Sequence, residues 1–328
     1  MKQNELSIAS VTVAYNGVTS LNRHLESLKR QSRRLDEIIV IDNGSTDGTR
    51  SLIAKEHPEV KLICLPENQG VGAALETGLS YAALEKSHNW VWLFDQDSEP
   101  EPEGLERLLS GLGFFEGTEE SVAILAPTSV HPSSQTVYPG LCFERGKFVP
   151  VVADAASPAV QVDMVISSGT LIRKEAILRV GMPRADFFID FVDFEYCLRL
   201  RRHDFKIVVI RESKLNHAIG DATSRKLFGR IRHGTNHAPW REYYMTRNET
   251  FTMWHFYSGV RTKAFTLYRI AWHMMDVFLF SRDRFACFAM IYRGFVDGRA
   301  GRLGARFLPQ SDKSSHQEES TTLDWRTP

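Results

Sequence analysis

The chain has 328 residues, 43% hydrophobic and 24% charged, with 40 Lys/Arg against 40 Asp/Glu. That length suffices for one large domain or two ordinary ones, and the composition excludes a disordered, collagen-like or disulfide-scaffold protein. The zero net charge averages two unlike halves: residues 1–164 hold 13 basic and 23 acidic side chains (−10), residues 165–328 hold 27 and 17 (+10).

In chain order, Ile8 to Ala14 is a β-branched run and predicts a strand. Leu21, Leu25 and Leu28 then follow helical spacing. Glu37 to Ile41 contains a continuous apolar run, typical of a strand buried on both faces. A helix after Asp47, a strand over Val60 to Leu65, a helix over Gly70 to Lys86 and strands over Asn89 to Phe94 and Val122 to Ala126 complete an alternating series. Such alternation implies a mostly parallel sheet with flanking helices, an α/β fold. Further on, Tyr138 to Val151 reads as a hairpin turning near Arg145-Gly146 and Val160 to Ser167 as a strand. Lys174 to Val180 and Asp190 to His203 read as helices, and Phe205 to Ile210 as a strand. Ala222 to Trp240 reads as a mobile loop, Arg241 to Arg306 as helices, and the polar tail from Ser311 as disordered.

Cys64, Cys142, Cys197 and Cys287 form no C-x-x-C pair, and Cys64 and Cys197 sit in apolar patterns expected to be buried, so reduced core cysteines are expected. The N-terminus has no signal-peptide pattern, and the richest apolar stretch, Ile270 to Phe280, is broken by His273 and Asp276. A cytoplasmic chain is expected, one that can touch the inner face of the membrane without crossing it.

In a parallel α/β sheet, ligands bind beyond the carboxyl ends of the strands. A dinucleotide site needs G-x-G-x-x-G after the first strand, where only Gly17 stands. The acids are more informative. Asp42 ends the second strand, where it can accept from a nucleobase N–H or a ribose hydroxyl, or form an Asx turn before a helix. Asp95-Gln96-Asp97 ends the fourth. Two carboxylates so close repel unless a cation compensates, and Mg²⁺ or Mn²⁺ shared with a diphosphate meets that need.

The ordered series Val11-Thr-Val-Ala-Tyr-Asn16, Ile41-Asp-Asn-Gly-Ser-Thr-Asp-Gly-Thr49, Glu67-Asn-Gln-Gly-Val-Gly72 and Leu93-Phe-Asp-Gln-Asp97 resembles the family-2 glycosyltransferases, which share the GT-A fold. With Asp193-Phe-Glu-Tyr-Cys-Leu-Arg199, it is similar to the bacterial rhamnosyltransferase branch, which uses dTDP-L-rhamnose to build O-antigen and other cell-surface polysaccharides. The resemblance spans about residues 7–250. It implies a GT-A catalytic domain over 1–240, with a nucleotide-binding part (1–126) and an acceptor part (127–240), followed by a helical C-terminal region (241–310) and the tail 311–328.

Carried over residue by residue, Tyr15, Asn16, Asp42, Asn68 and Gly70 border the nucleotide-sugar donor. Asp95 contacts the donor or the metal, and Asp97 and His217 ligate Mg²⁺ or Mn²⁺. Ser168, Gly169 and Glu195 lie on the acceptor side, and Arg247 faces the diphosphate or covers a helix surface. Inverting transfer needs one general base. Alignment on Leu198-Arg199-Leu200 makes it Asp193, with Asp190, one helical turn back, as the rival. Val192 replaces the family's usual Glu, and Glu76 stands where many relatives carry Asn or a basic residue. His233 and His237 read as loop residues. The implied partners are a nucleotide-diphosphate sugar and a saccharide or lipid-diphosphate-linked acceptor. UDP-galactofuranose or a UDP-hexose is the alternative donor, and a non-catalytic nucleotide-sugar-binding subunit the alternative role.

From Arg201 to Arg306 there are 20 Lys/Arg and 8 Asp/Glu among many aromatics. That pattern suits an anionic membrane surface, or helices that pack on the catalytic domain or a second copy in a homo-oligomer. No nucleic-acid recognition motif accompanies it.

Overall fold

The computed structural model describes residues 6–115, 117–217, 222–227, 230–235, 237–257 and 259–309; the tail from Ser311 lies outside them, as do the side chains of 222–235, His233 included. The first part alternates as the pattern predicts: β1 (Ile8–Ala14), α1 (Val18–Lys29), β2 (Glu37–Asp42), α2 (Thr49–Glu56), β3 (Lys61–Cys64), α3 (Gly70–Leu79) and β4 (Trp90–Asp95). α3 runs on into a π-helical turn over Ser80–Glu85. Then follow β5 (Ser98–Pro100), α4 (Gly104–Ser110), β6 (Val122–Val130), β7 (Val137–Tyr138), β8 (Gly140–Glu144), β9 (Lys147–Val151), β10 (Ala159–Val162) and β11 (Leu171–Arg173). The chain continues through α5 (Lys174–Val180), α6 (Val192–Arg202), β12 (Lys206–His217), β13 (Ala222–Leu227), β14 (Arg230–Thr235), α7 (Pro239–Phe256), α8 (Val260–Phe280) and α9 (Arg284–Ala300).

One sheet organises the molecule, in the order β10-β12-β6-β11-β4-β1-β2-β3, with β5 beside β12 and β7 beside β6. The β4-β1-β2-β3 half is parallel throughout. β12 is parallel to β6, while β11 and β10 run antiparallel to their neighbours. The 126/127 division falls inside β6, so the two expected parts share this sheet. Both faces are covered, as the unbroken burial of β1 requires. Val11, Ile39, Ile41 and Leu93 pack on one side with α3 and α6, and Ile8, Val40, Trp90 and Trp92 on the other with α1 and α4.

Four expectations are corrected. The strand expected over Val160 to Ser167 stops at Val162, and the one expected over Phe205 to Ile210 extends to His217. Within the expected mobile loop, residues 222–227 and 230–235 form the antiparallel strand pair β13-β14. Cys64, at the end of edge strand β3, is exposed, whereas Cys197 is buried as expected. Among the described residues no helix is long and apolar enough to cross a membrane.

Candidate active site

The carboxyl ends of β1, β2 and β4 open into a cleft of about 690 Å³, closed on the far side by the loop 188–191 and the first turns of α6 and α7. Tyr15, Asn43, Asn68 and Gly70 line one wall, Asp95, Gln96, Asp97 and His217 the floor, and Asp190, Asp193, Trp240 and Arg241 the opposite wall.

The wall of Tyr15, Asn43, Asn68 and Gly70 is held by side-chain amides. Asn68 Oδ1 accepts from Asn43 Nδ2 (3.1 Å) and from Gly70 N (2.9 Å), while Asn43 Oδ1 accepts from Gln69 N (2.9 Å). Gly70 has φ +85, and a Cβ there would stand 2.4 Å from the carbonyl oxygen of Phe188, so only glycine lets the loop after β3 meet the loop before α6. Gln96 clamps the end of β1: its Oε1 accepts from Tyr15 N (2.9 Å) and its Nε2 donates to Tyr15 O (3.0 Å). Asp42 is fully buried below this wall, accepting from Ser45 N and paired with the Arg50 guanidinium. Asn16 lies at the rim, its Oδ1 accepting from Thr46 N (2.8 Å).

On the floor, Asp95, Asp97 and His217 each offer one ligand atom within 4.8 Å of the others. His217 Nε2 stands 3.6 Å from an Asp95 oxygen and 3.4 Å from an Asp97 oxygen. His217 arrives because the long β12 pairs with β5, opposing His217 to Ser98. Beneath them, the Ser168 hydroxyl accepts from Asp95 N (3.0 Å) and contacts the Ser98 hydroxyl (2.6 Å), while buried His24 bridges Thr12 and the Ser98 carbonyl. Burial raises the Asp95 carboxyl above its ordinary range, more than His217 lowers it. Burial also pushes Asp97 up, but the hydrogen bond and charge of His217 outweigh it and hold Asp97 low. For His217, burial is outweighed by Asp97 and Asp95, and the imidazole is raised. His217 Nδ1 is buried without a hydrogen-bond partner among the described residues. Two carboxylates and one imidazole converging at this spacing suit a divalent cation such as Mn²⁺ or Mg²⁺, whose charge compensates the paired acids.

The opposite wall is strained and heavily braced. Phe188, Asp190 and Phe191 all have φ between 61° and 66°, a region non-glycine residues seldom enter. Asn248 holds them there, its Nδ2 donating to the carbonyls of Phe187 (2.9 Å), Ile189 (2.8 Å) and Asp190 (2.9 Å). Asp190 lies in this loop rather than on α6, and Arg241 holds it in a two-pronged ion pair (2.9 and 3.0 Å). Asp193, in the first turn of α6, accepts from Phe194 N (2.8 Å) and Ser167 N (3.3 Å). Burial, reinforced by the charges of Asp95 and Asp190, pushes its carboxyl up to about 7.

The cleft thus brings together Tyr15, Asn68, Gly70, Asp95, Asp97, Asp190, Asp193 and His217 from the sequence-derived candidates. Arg247 is elsewhere: fully buried, its guanidinium donates to the carbonyls of Gly304, Asp186 (3.1 Å) and Phe187 (2.9 Å). Arg241, six residues earlier, occupies the wall instead. Glu195 is also withdrawn, 2% exposed and paired with both nitrogens of the Arg199 fork (3.0 and 2.9 Å). Ser168 and Gly169 brace the end of β4, with Ser167 taking the place on the wall. Glu76 is exposed on α3, away from the cleft, and His237 sits beside Arg241, where burial and that charge hold its imidazole low. Asn43, Gln96, Trp240 and Arg241 were not singled out as site residues from the sequence. Asn43 and Gln96 sit inside quoted motifs, and Pro239 at the start of a helix is the signal that places Trp240 and Arg241 in a first turn.

Comparison with known proteins fits this geometry. The family described as Glycosyl transferase family 2 matches residues 10–180. The dTDP-rhamnosyl transferase RfbF of Shigella flexneri is 31% identical over 74% of this chain and 78% of its own length. Galactofuranosyltransferase GlfT1 of Mycobacterium tuberculosis is 24% identical over 75% of this chain and 82% of its own. Among solved structures, GalNAc-T7 with UDP, GalNAc and Mn²⁺ superposes with a TM-score of 0.61 at 15% identity, covering 82% of this chain and 51% of that one. TarS of S. aureus gives 0.53 at 16% identity, covering 84% and 44%. The chain spans about half the length of these two solved chains, and the likeness shows the GT-A-like fold. With half of the sequence inside the family's matched region and a curated relative aligned over most of both lengths, the chain belongs to glycosyl transferase family 2.

Proposed function

We propose that this chain is an inverting, divalent-metal-dependent glycosyltransferase that moves L-rhamnose from dTDP-L-rhamnose to a hydroxyl of a growing cell-surface saccharide or a lipid-diphosphate-linked acceptor. The observation that carries the reading is the convergence of Asp95, Asp97 and His217 with Asp193 on one cleft. The acceptor oxygen attacks the anomeric carbon as its proton passes to the Asp193 carboxylate. The bond from that carbon to the diphosphate oxygen breaks, and the electron pair leaves with the diphosphate. A carboxylate raised by burial to near neutral pH suits the role of general base, and Asp190 is already committed to Arg241. Arg241 adds a cation to the wall where negative charge develops. Asp95, Asp97 and His217 would hold Mg²⁺ or Mn²⁺, which supplies charge compensation to the diphosphate leaving group.

The rhamnosyl donor is supported by the relative at 31% identity. A second reading, a galactofuranosyl donor, is favoured by the similarity to GlfT1. A panel of nucleotide sugars, assayed for turnover with and without Mn²⁺, separates them. Turnover of dTDP-L-rhamnose alone supports the first reading, turnover of UDP-galactofuranose the second, and no turnover of any donor refutes both.

A further inference from the structure

The helix α8 is amphipathic with its polarity inverted. Its inward face carries Thr262, Thr266, Val277 and Phe280, and Phe265 meets Phe148 of β9. Its outward face carries Leu267, Tyr268, Trp272, Met275 and Phe278, each 47–61% exposed. The exposed positions from Ala264 to Phe278 include no Lys, Arg, Asp or Glu. From Val260 to Phe278 this stripe runs about 27 Å at 1.5 Å per residue. Phe285, 82% exposed, and Tyr292, 68% exposed, add to it from α9. Exposed apolar residues scattered singly are ordinary, but a continuous aromatic stripe is not.

Charge says what covers it. Residues 260–302 hold eight Lys/Arg and three Asp/Glu. Arg269 is tied to Glu249 and Arg302 to Asp297, whereas Arg261, Lys263, Arg282 and Arg293 make no salt bridge among the described residues. Arg261 and Lys263 flank one end of the stripe, and Arg282 and Arg284 the other. β14 packs against α8 in a hairpin whose sequence holds Arg225, Lys226, Arg230 and Arg232 and no acid. Two copies meeting across a two-fold axis would bring rims of net positive charge together, with Asp283 as the one exposed acid of residues 260–302 to answer them. No helix of the described residues can span a bilayer, which leaves a helix lying in the interface plane.

We propose that the exposed face of α8, with Phe285 and Tyr292 of α9, is a docking surface for an anionic lipid bilayer. The aromatic stripe enters the headgroup boundary and the basic flanks meet anionic headgroups. The inference is independent of which sugar is moved.

The test is co-sedimentation of the full chain with phosphatidylcholine vesicles with and without phosphatidylglycerol, no donor being present. Wild type should bind the anionic vesicles, and each basic side chain at such a surface raises partitioning about fivefold, so Arg282→Glu/Arg284→Glu should weaken binding more than tenfold. Tyr268→Ala/Phe278→Ala/Phe285→Ala should lose binding while its circular dichroism spectrum and its turnover of a water-soluble acceptor match wild type. Binding should fall as salt rises. Failure of wild type to bind anionic vesicles overturns the proposal. So does a wild-type dimer in sedimentation equilibrium that the triple variant renders monomeric, which assigns the face to a second copy. Neither result touches the transfer reading, because vesicle binding is read without a donor.

Discussion

Replacing Asp193 by Asn should abolish transfer and stabilise the fold at the same time. Burial raises this carboxyl from 3.8 to about 7. An acid whose folded-state pKa lies above its unfolded value destabilises the fold once ionised. The penalty is absent below about pH 4, grows as pH rises from 3.8 towards 7, and is complete above 7. Its size at pH 8 is about 4 kcal/mol. Asn keeps the shape, and its one carbonyl oxygen can still accept from Phe194 N or Ser167 N, but its NH₂ accepts nothing, so one of the two bonds is lost, which offsets about 1 kcal/mol. A net gain of about 3 kcal/mol remains, on the order of 4 °C in Tm for a chain of this length. Thermal melts with a chelator present, at pH 4 and pH 8, read it directly. The variant should melt with wild type at pH 4 and well above it at pH 8. Transfer should fall by about 10²–10⁴, the contribution of a positioned base, with donor affinity unchanged. In the wild type, activity should decline as pH drops through the titration of Asp193. Coincident melts at both pH values together with preserved turnover would refute the reasoning.

Three further substitutions test other parts of the site. Asp97→Asn should weaken Mn²⁺ binding in isothermal titration by about 10-fold or more, because one of the two carboxylates facing His217 loses its charge. Arg241→Ala should lower kcat/KM for the donor by about 10²-fold, the loss seen when one donor to a developing anion is removed, whereas identical kinetics would remove Arg241 from the reaction. Glu195→Ala leaves the Arg199 guanidinium without its buried carboxylate and should lower stability in urea by about 3 kcal/mol. Its kcat per folded molecule should match wild type; a selective loss of acceptor affinity would return Glu195 to the acceptor site.

The first half of the sheet was legible because β2 and β4 are continuous apolar runs, β1 is a β-branched run, and a parallel sheet sends their ends, with the candidate site residues, to one side. What stayed hidden has physical reasons. β5, β7 and β11 are two or three residues long, too short for any periodicity, and β5 and β11 are held by neighbours distant in sequence. The hairpin β13-β14 is rich in Gly, Thr and Ser and lacks the apolar alternation that marks a half-buried strand. Arg241 and Arg247 lie six residues apart on α7, roughly 120° apart around its axis, so only one can face the cleft. The sequence does not say which until Asn248 and Arg247 are seen gripping the 186–190 carbonyls. Asp190 was expected on the same helix face as Asp193, but positive φ at Phe188, Asp190 and Phe191 keeps the helix from starting before Val192. That strain is invisible in composition; in this loop Asp190 pairs with Arg241, which leaves Asp193 as the proposed base.

The most direct test of the central claim is the anomeric configuration of the product, read by proton NMR after incubation with dTDP-L-rhamnose, acceptor and Mn²⁺. A single displacement assisted by Asp193 predicts a rhamnoside of configuration opposite to the donor's, formed by wild type and not by Asp193→Asn. A product that retains the donor's configuration, or one formed equally by the variant, contradicts the account.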